Sequence, residues 1–228
     1  MDGFEFDVEI LRSDRKRSAA IDLEDGLVKV RVPKGLSESR IRELISKRSA
    51  WIRIKLKEQA GNPKPRPKEY VSGESYPYLG KNYRLKVFTG SKPSIKLKKG
   101  YLEVHVGQGD NDPQQSIRVL LVDWYTQHAE LRLKEKTQRL AKILGVSPRS
   151  VGVKDYKSRW GSCSIEGDIT YNWRIILAPH RIVDYVVIHE LCHLLEHNHS
   201  ARYWQHVQRH VPNWKECRDW LKNNTLVI

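Results

Sequence analysis

The chain has 228 residues, 39% of them hydrophobic with seven Trp and ten Tyr, enough for one large domain or two small ones with a substantial core. This composition excludes a disordered chain, and no apolar run approaches the ~20 residues that span a bilayer, so no membrane association is expected. The formal net charge of +14 admits nucleic acid or an acidic protein as partner but describes a soluble basic surface equally well, and no zinc-knuckle, helix-turn-helix or RNP-type motif chooses between them.

The first residues, M-D-G-F-E-F-D-V-E, are acidic and alternating, unlike a signal peptide. Cys163, Cys192 and Cys217 share no C-x-x-C spacing and cannot all pair. They read as free thiols of a reducing compartment, and a cytoplasmic protein is expected.

Residues 4–33 alternate apolar and polar with a period of two, the mark of half-buried strands, and Asp25-Gly26 is a type I′ hairpin signal. Ser37 is placed to cap a helix with Ile41, Leu44, Ile45, Trp51 and Ile52 on one stripe. The Pro-rich basic stretch 61–68 reads as a stiff connector. Strands return from Tyr70 to Val106, punctuated by Gly73, Gly80, Gly90 and Gly100. Asp112 and Pro113 then open a long helix, about residues 114–144, which Gly145 terminates. Its stripe is Ile117, Leu120, Leu121, Trp124, Leu131, Leu140 and Ile143. His128 falls on that stripe as a packed core histidine, because nothing nearby completes a metal site.

Residues 147–156 predict a strand, and D-I-T-Y-N-W-R-I-I-L (168–177) predicts another. Between them K-S-R-W-G-S-C-S (157–164) reads as a turn with Arg159 and Trp160 packed on the core. That accounts for Ser162 and Cys163 better than a nucleophile does. Ala178-Pro179 opens a helix that is apolar nearly all round and therefore buried. Two short helices, roughly 201–210 and 213–223, close the chain. Strands giving way to helices make the fold class α+β, with a β-hairpin-rich region that includes one helix over residues 1–110 and a compact second domain, the candidate catalytic one, over 111–228.

The buried helix carries His189, Glu190 and His193 in the pattern H-E-x-x-H. Residues four apart lie on one helix face, about 6 Å of rise from each other, so both imidazoles reach one metal ion at roughly 2.0–2.1 Å. Glu190 is rotated by about 100° and sits beside that ion, where a general base for a metal-bound water belongs. A third ligand must come from beyond the helix. Glu196 and His197 are strung too far along a straight helix, which leaves Glu196 as a carboxylate near the site entrance. Asn198, as a left-handed stop, lets the chain double back so that His199 meets the ion; Glu216 from the last helix competes with it.

Three neutral nitrogen ligands leave one position for water, the catalytic arrangement of zinc, which brings that water's pKa to roughly 7. The chemistry expected is peptide hydrolysis, with Glu190 taking the proton and returning it to the leaving amine. An oxyanion donor is also required, and Tyr203, His206 and Tyr185 are candidates between which the sequence does not choose. The competing structural reading makes both histidines core residues and Glu190 half of a buried ion pair, but the sequence shows no partner for it.

The segments K-S-R-W-G-S-C-S, D-I-T-Y-N-W-R-I-I-L-A-P, V-D-Y-V-V-I-H-E-L-C-H-L and N-H-S-A-R-Y-W together resemble the YgjP-like zinc metallopeptidases, relatives of the SprT and WLM-type proteases. The match is dense over about residues 157–204, and R-V-P-K-G-L and Y-L-G-K-N-Y-R-L extend it toward the N-terminus. The resemblance implies a compact zincin-like domain with a long backing helix and an active-site helix. It implies His189, His193 and His199 as ligands of one Zn²⁺ per chain and Glu190 as catalytic base. It also implies that the strand around Ile169, Tyr171 and Trp173 forms the substrate rim, where an extended peptide adds as a strand. Cys192 stands where the family usually has Ala, and position 196 lacks the Gly of the metzincin motif. The function expected is a zinc metallopeptidase acting on peptides or proteins. The alternative is a basic nucleic-acid-associated protein, either a protease recruited to DNA-bound proteins or a binding module with a structural zinc.

Overall fold

A computed structural model describes residues 4–14, 18–24, 26–61 and 67–228. Asp25 of the expected hairpin turn and residues 62–66 of the expected connector lie outside the described residues. Among the described residues the fold is α+β, with five α-helices and three small sheets. The chain divides into two compact units, Met1–Lys64 and Pro65–Ile228.

The first unit holds β1 (Val8–Ser13), β2 (Ala20–Glu24), β3 (Leu27–Pro33) and α1 (Glu38–Gly61). The sheet order is β1-β3-β2, with β1 parallel and β2 antiparallel to β3. The period-two pattern buries Val28, Val30 and Val32 on one face, and Ile41, Ile45 and Ile52 of α1 cover them. Trp51, expected on that stripe, is 40% exposed. One residue is about 100° of helix rotation, and Ile52 takes the inward position.

The second unit begins with β4 (Ser75–Tyr78), β5 (Lys81–Gly90), β6 (Ser94–Lys98) and β7 (Tyr101–Gly107), in the order β4-β5-β7-β6 with β5 parallel to β7. Then comes α2 (Pro113–Leu144). The Asp112 side chain accepts from the Gln115 N–H, Pro113 starts the first turn, and Gly145 closes the helix at φ 71° with its N–H on the Ala141 carbonyl. The buried face runs through Leu121, Tyr125, Ala129, Leu133, Thr137 and Ala141, while Leu131 and Ile143 are 53% and 62% exposed. Reading hydrophobicity alone misplaces this stripe, because two of its members are alanines and one is a threonine whose hydroxyl meets the Tyr171 hydroxyl at 3.0 Å. His128 is packed as expected, its ring stacked on Trp124 at 3.8 Å.

Leu85, Leu102, Val104 and Val106 of this sheet share one core with Ile117, Trp124 and the helices that follow. The domain boundary expected at 110/111 followed the change from strands to helices. That change lies inside the second unit, and the division between compact units falls at 64/65.

The third sheet is β8 (Ser150–Lys154), β9 (Gly161–Cys163) and β10 (Asp168–Asn172), ordered β8-β10-β9. The strand expected over 168–177 stops at Asn172, whose side chain accepts from the Arg174 N–H and donates to the carbonyls of Tyr156 and Arg159. A 3-10 turn follows (Trp173–Leu177), then α3 (His180–Cys192), α4 (Ala201–His210) and α5 (Trp214–Asn223). The β4–β5 turn abuts the start of α3: a Cβ on Gly80 would stand 3.3 Å from the Pro179 Cα.

Candidate metal centre

α3 buries Ile182, Val183, Val186, Val187 and Leu191, which fixes the rotation of the helix and hence the direction of His189 and Glu190. The helix ends at Cys192, sooner than the expected stop at Asn198. The N–H groups of His193, Leu194 and Leu195 bond three residues back, to Glu190, Leu191 and Cys192, so the last turn tightens into 3-10 geometry. Among the described non-glycine residues only Tyr70, Leu79 and Lys99 have positive φ, so Asn198 is not a left-handed stop. The tightened turn begins the reversal that brings His199 back.

His189, His193 and His199 each offer a ligand atom, and these atoms lie within 4.8 Å of one another. The Nε2 atoms of His189 and His199 are 3.2 Å apart. The His193 Nδ1 stands 3.3 Å from the Glu196 carbonyl; a carbonyl only accepts, so this contact puts the proton on Nδ1 and leaves Nε2 with its lone pair. Glu196 thus meets the cluster through its backbone carbonyl. Burial lowers the His189 pKa to about 3, with the charges of His193 and His199 adding to it, and burial lowers His193 likewise. Burial raises Glu190 to about 8, with Arg159 opposing. Three imidazoles thus converge on one point beside a buried carboxyl group. The His189 Nδ1 has no hydrogen-bond partner. The donor set fits a divalent cation of borderline softness, since a positive charge at that point satisfies the nitrogens and the carboxylate together.

Glu190 lies against the backbone of β9. A Cβ on Gly161 would stand 2.8 Å from both its Cγ and its Cδ, so only glycine allows this approach. Gly161 was missed in the sequence, where residues 157–164 read as a turn and the strand β9 was not expected. Tyr203 secures the other side. Its hydroxyl donates to the His189 carbonyl at 2.9 Å, and its ring stacks on His193 at 4.6 Å. Ser200 caps α4 by accepting from the Tyr203 N–H at 3.2 Å.

His189, Glu190 and His199 open into a cavity of about 410 Å³, also bounded by Gly161, Tyr185 and Trp204. Of the oxyanion candidates, Tyr185 lines this cavity. Tyr203 is fully buried with its hydroxyl engaged, and half-buried His206 does not line it. Ile169 and Tyr171 are fully buried and Trp173 is 2% exposed. β10 is paired on both sides, with β8 and with β9, so the rim expected at these residues is core. The strand beside Glu190 with an edge not paired in this sheet is β9. Glu216 is exposed on α5, outside the cluster. Arg159, expected on the core, is exposed and lines the cavity; half-buried Trp160 packs on the core. Burial pushes the Cys163 thiol up to about 11 and Cys192 up to about 12, so neither is a thiolate at neutral pH.

A family model described as YgjP-like, metallopeptidase domain, matches residues 17–224. No curated protein matches the chain. Among solved structures the chain is similar to the metallopeptidase zymogen of Pyrococcus abyssi abylysin, at 25% identity and a TM-score of 0.37, covering 42% of this chain and 99% of that one.

Proposed function

The chain belongs to the YgjP-like metallopeptidase family, and we propose that it is a zinc endopeptidase in which His189, His193 and His199 hold one ion per chain and Glu190 is the general base. The observation that carries this reading is the convergence of three imidazoles, with ligand atoms within 4.8 Å of one another, beside a buried carboxyl group. His189, His193 and His199 would hold the zinc, which would supply an acidified water, with a pKa of roughly 7, and a Lewis acid for the substrate carbonyl.

The protein residues supply the remainder. Glu190, pressed against Gly161, is ionised in the presence of the cation, accepts the proton of the attacking water and delivers it to the leaving nitrogen. Tyr185, which lines the cavity, is the candidate favoured as oxyanion donor. The β9 edge offers backbone groups to an extended peptide, a mode of binding that tolerates many sequences. The substrates are peptides or proteins. The nucleic-acid association considered from net charge gains no support from the family match. Among the described residues no helix is long and apolar enough to cross a membrane.

Purified protein is expected to contain one zinc per chain and to cleave casein or a labelled peptide. A chelator is expected to abolish cleavage and added zinc to restore it. One bound zinc with no cleavage of any peptide would count against the enzyme reading. Tyr203→Phe is expected to cost about 1 kcal/mol of stability, the worth of one hydrogen bond, while the ring keeps His193 in place. Calorimetry and metal analysis check this. A rate loss of about 10²-fold or more in that variant would return Tyr203 to the oxyanion site.

A further inference from the structure

The cavity that holds Glu190 is lined by three cations and no other acid: Arg159 from the loop before β9, and Arg218 and Lys222 from α5. Arg218 and Lys222 are four residues apart and share a helix face. Some cations elsewhere in this unit find carboxylates, as Lys136 does in Asp184, Arg149 in Asp168 and Arg174 in Asp155. Lys222 has a loose exposed pair with Asp219 at 3.7 Å. Among the described residues no carboxylate forms a contact ion pair with Arg159 or Arg218, and the charge of Arg159 acts on Glu190 only from farther away.

Arg218 carries the stronger sign. Its guanidinium sits over the Trp214 ring at 5.1 Å, which restricts it, and its Nε is buried without a hydrogen-bond partner. A buried donor left unmade is unfavourable, and a stacked guanidinium with free N–H groups is prearranged for a planar, bidentate acceptor. A second cavity of about 680 Å³ shares Arg159 and Trp160 with the first and is also lined by Lys157 and Arg174 against one acid, Asp155. Lys157 likewise has no carboxylate partner among the described residues. The field along the cleft therefore favours an anion next to the metal centre.

We propose that Arg218, assisted by Arg159, forms a carboxylate-binding subsite of the peptidase cleft. The substrates would be peptides that present an acidic group beside the scissile bond, either an Asp or Glu side chain or a free C-terminus. This proposal rests on the metallopeptidase reading.

The test uses the zinc-loaded full chain and internally quenched peptides matched in pairs. One arm exchanges Glu for Gln at each position flanking the scissile bond, and the other compares free and amidated C-termini. Wild type is expected to favour the charged member of one pair by about tenfold or more in kcat/KM, mainly through KM. Arg218→Gln removes that preference while still cleaving the neutral peptide, and Arg218→Lys restores part of it. Should Arg218→Gln not fold, Arg159→Gln at an exposed position is expected to reduce the preference. Equal rates on all pairs, or a preference that survives both Gln substitutions, overturns the subsite. If wild type cleaves no peptide, the enzyme reading fails separately. The subsite is then decided by the affinities of Glu190→Gln protein for labelled charged and neutral peptides: a preference of about tenfold or more for the charged member that Arg218→Gln removes supports it, and equal affinities overturn it.

Discussion

Replacing Glu190 by Gln is expected to lower kcat by about 10²–10⁴-fold, the range a positioned general base contributes, with metal content unchanged. Gln has the same shape and fits the same contact with Gly161, but its amide cannot accept the proton of an attacking water. The cost of burial that raises the Glu190 pKa to about 8 disappears with the charge. The metal-free variant should therefore be at least as stable as the wild type. The measurements are kcat on a labelled peptide, zinc per chain and a melting curve. A rate within tenfold of wild type would remove Glu190 from the chemistry.

Gly161→Ala should separate activity from stability. The new Cβ would stand 2.8 Å from the Cγ and Cδ of Glu190, and the side chain has to swing away from its position beside the three imidazoles. A displacement of about 1 Å at a reacting group can cost roughly 10²-fold in rate, so kcat should fall by about that amount. The strand itself should not suffer. Gly161 lies in β9 and is not among the glycines with positive φ, and alanine in a strand restricts the unfolded chain more than glycine does. Melting temperature should stay level or rise slightly. A lower melting temperature with normal kcat would mean that β9, rather than Glu190, had moved.

The H-E-x-x-H-x5-H spacing placed His189, His193 and His199 correctly as neighbours, because helix periodicity is a local rule and the third histidine follows within one loop. The capping residues of α2 were legible for the same reason: Asp112, Pro113 and Gly145 act on backbone groups a few residues away. Tertiary contacts were not legible. The family resemblance implied a substrate rim at Ile169, Tyr171 and Trp173, but these residues are buried in a strand paired on both sides, and strand order cannot be read from one strand's sequence. Gly161 and Glu190 are 29 residues apart in the sequence, and nothing in either segment announces their contact. The early end of α3 escaped as well, since no Gly or Pro marks Cys192 and the 3-10 bonds that end the helix follow from packing.

The proposed third ligand sits on a segment that is already tied down. Tyr203 joins α4 to the His189 carbonyl, and Ser200 fixes the first turn of that helix just after His199. These bonds hold the His199 segment through protein–protein contacts alone. Removal of a metal is therefore expected to leave the fold intact, with far-UV circular dichroism unchanged by a chelator, unlike a zinc finger, which depends on its metal to fold at all.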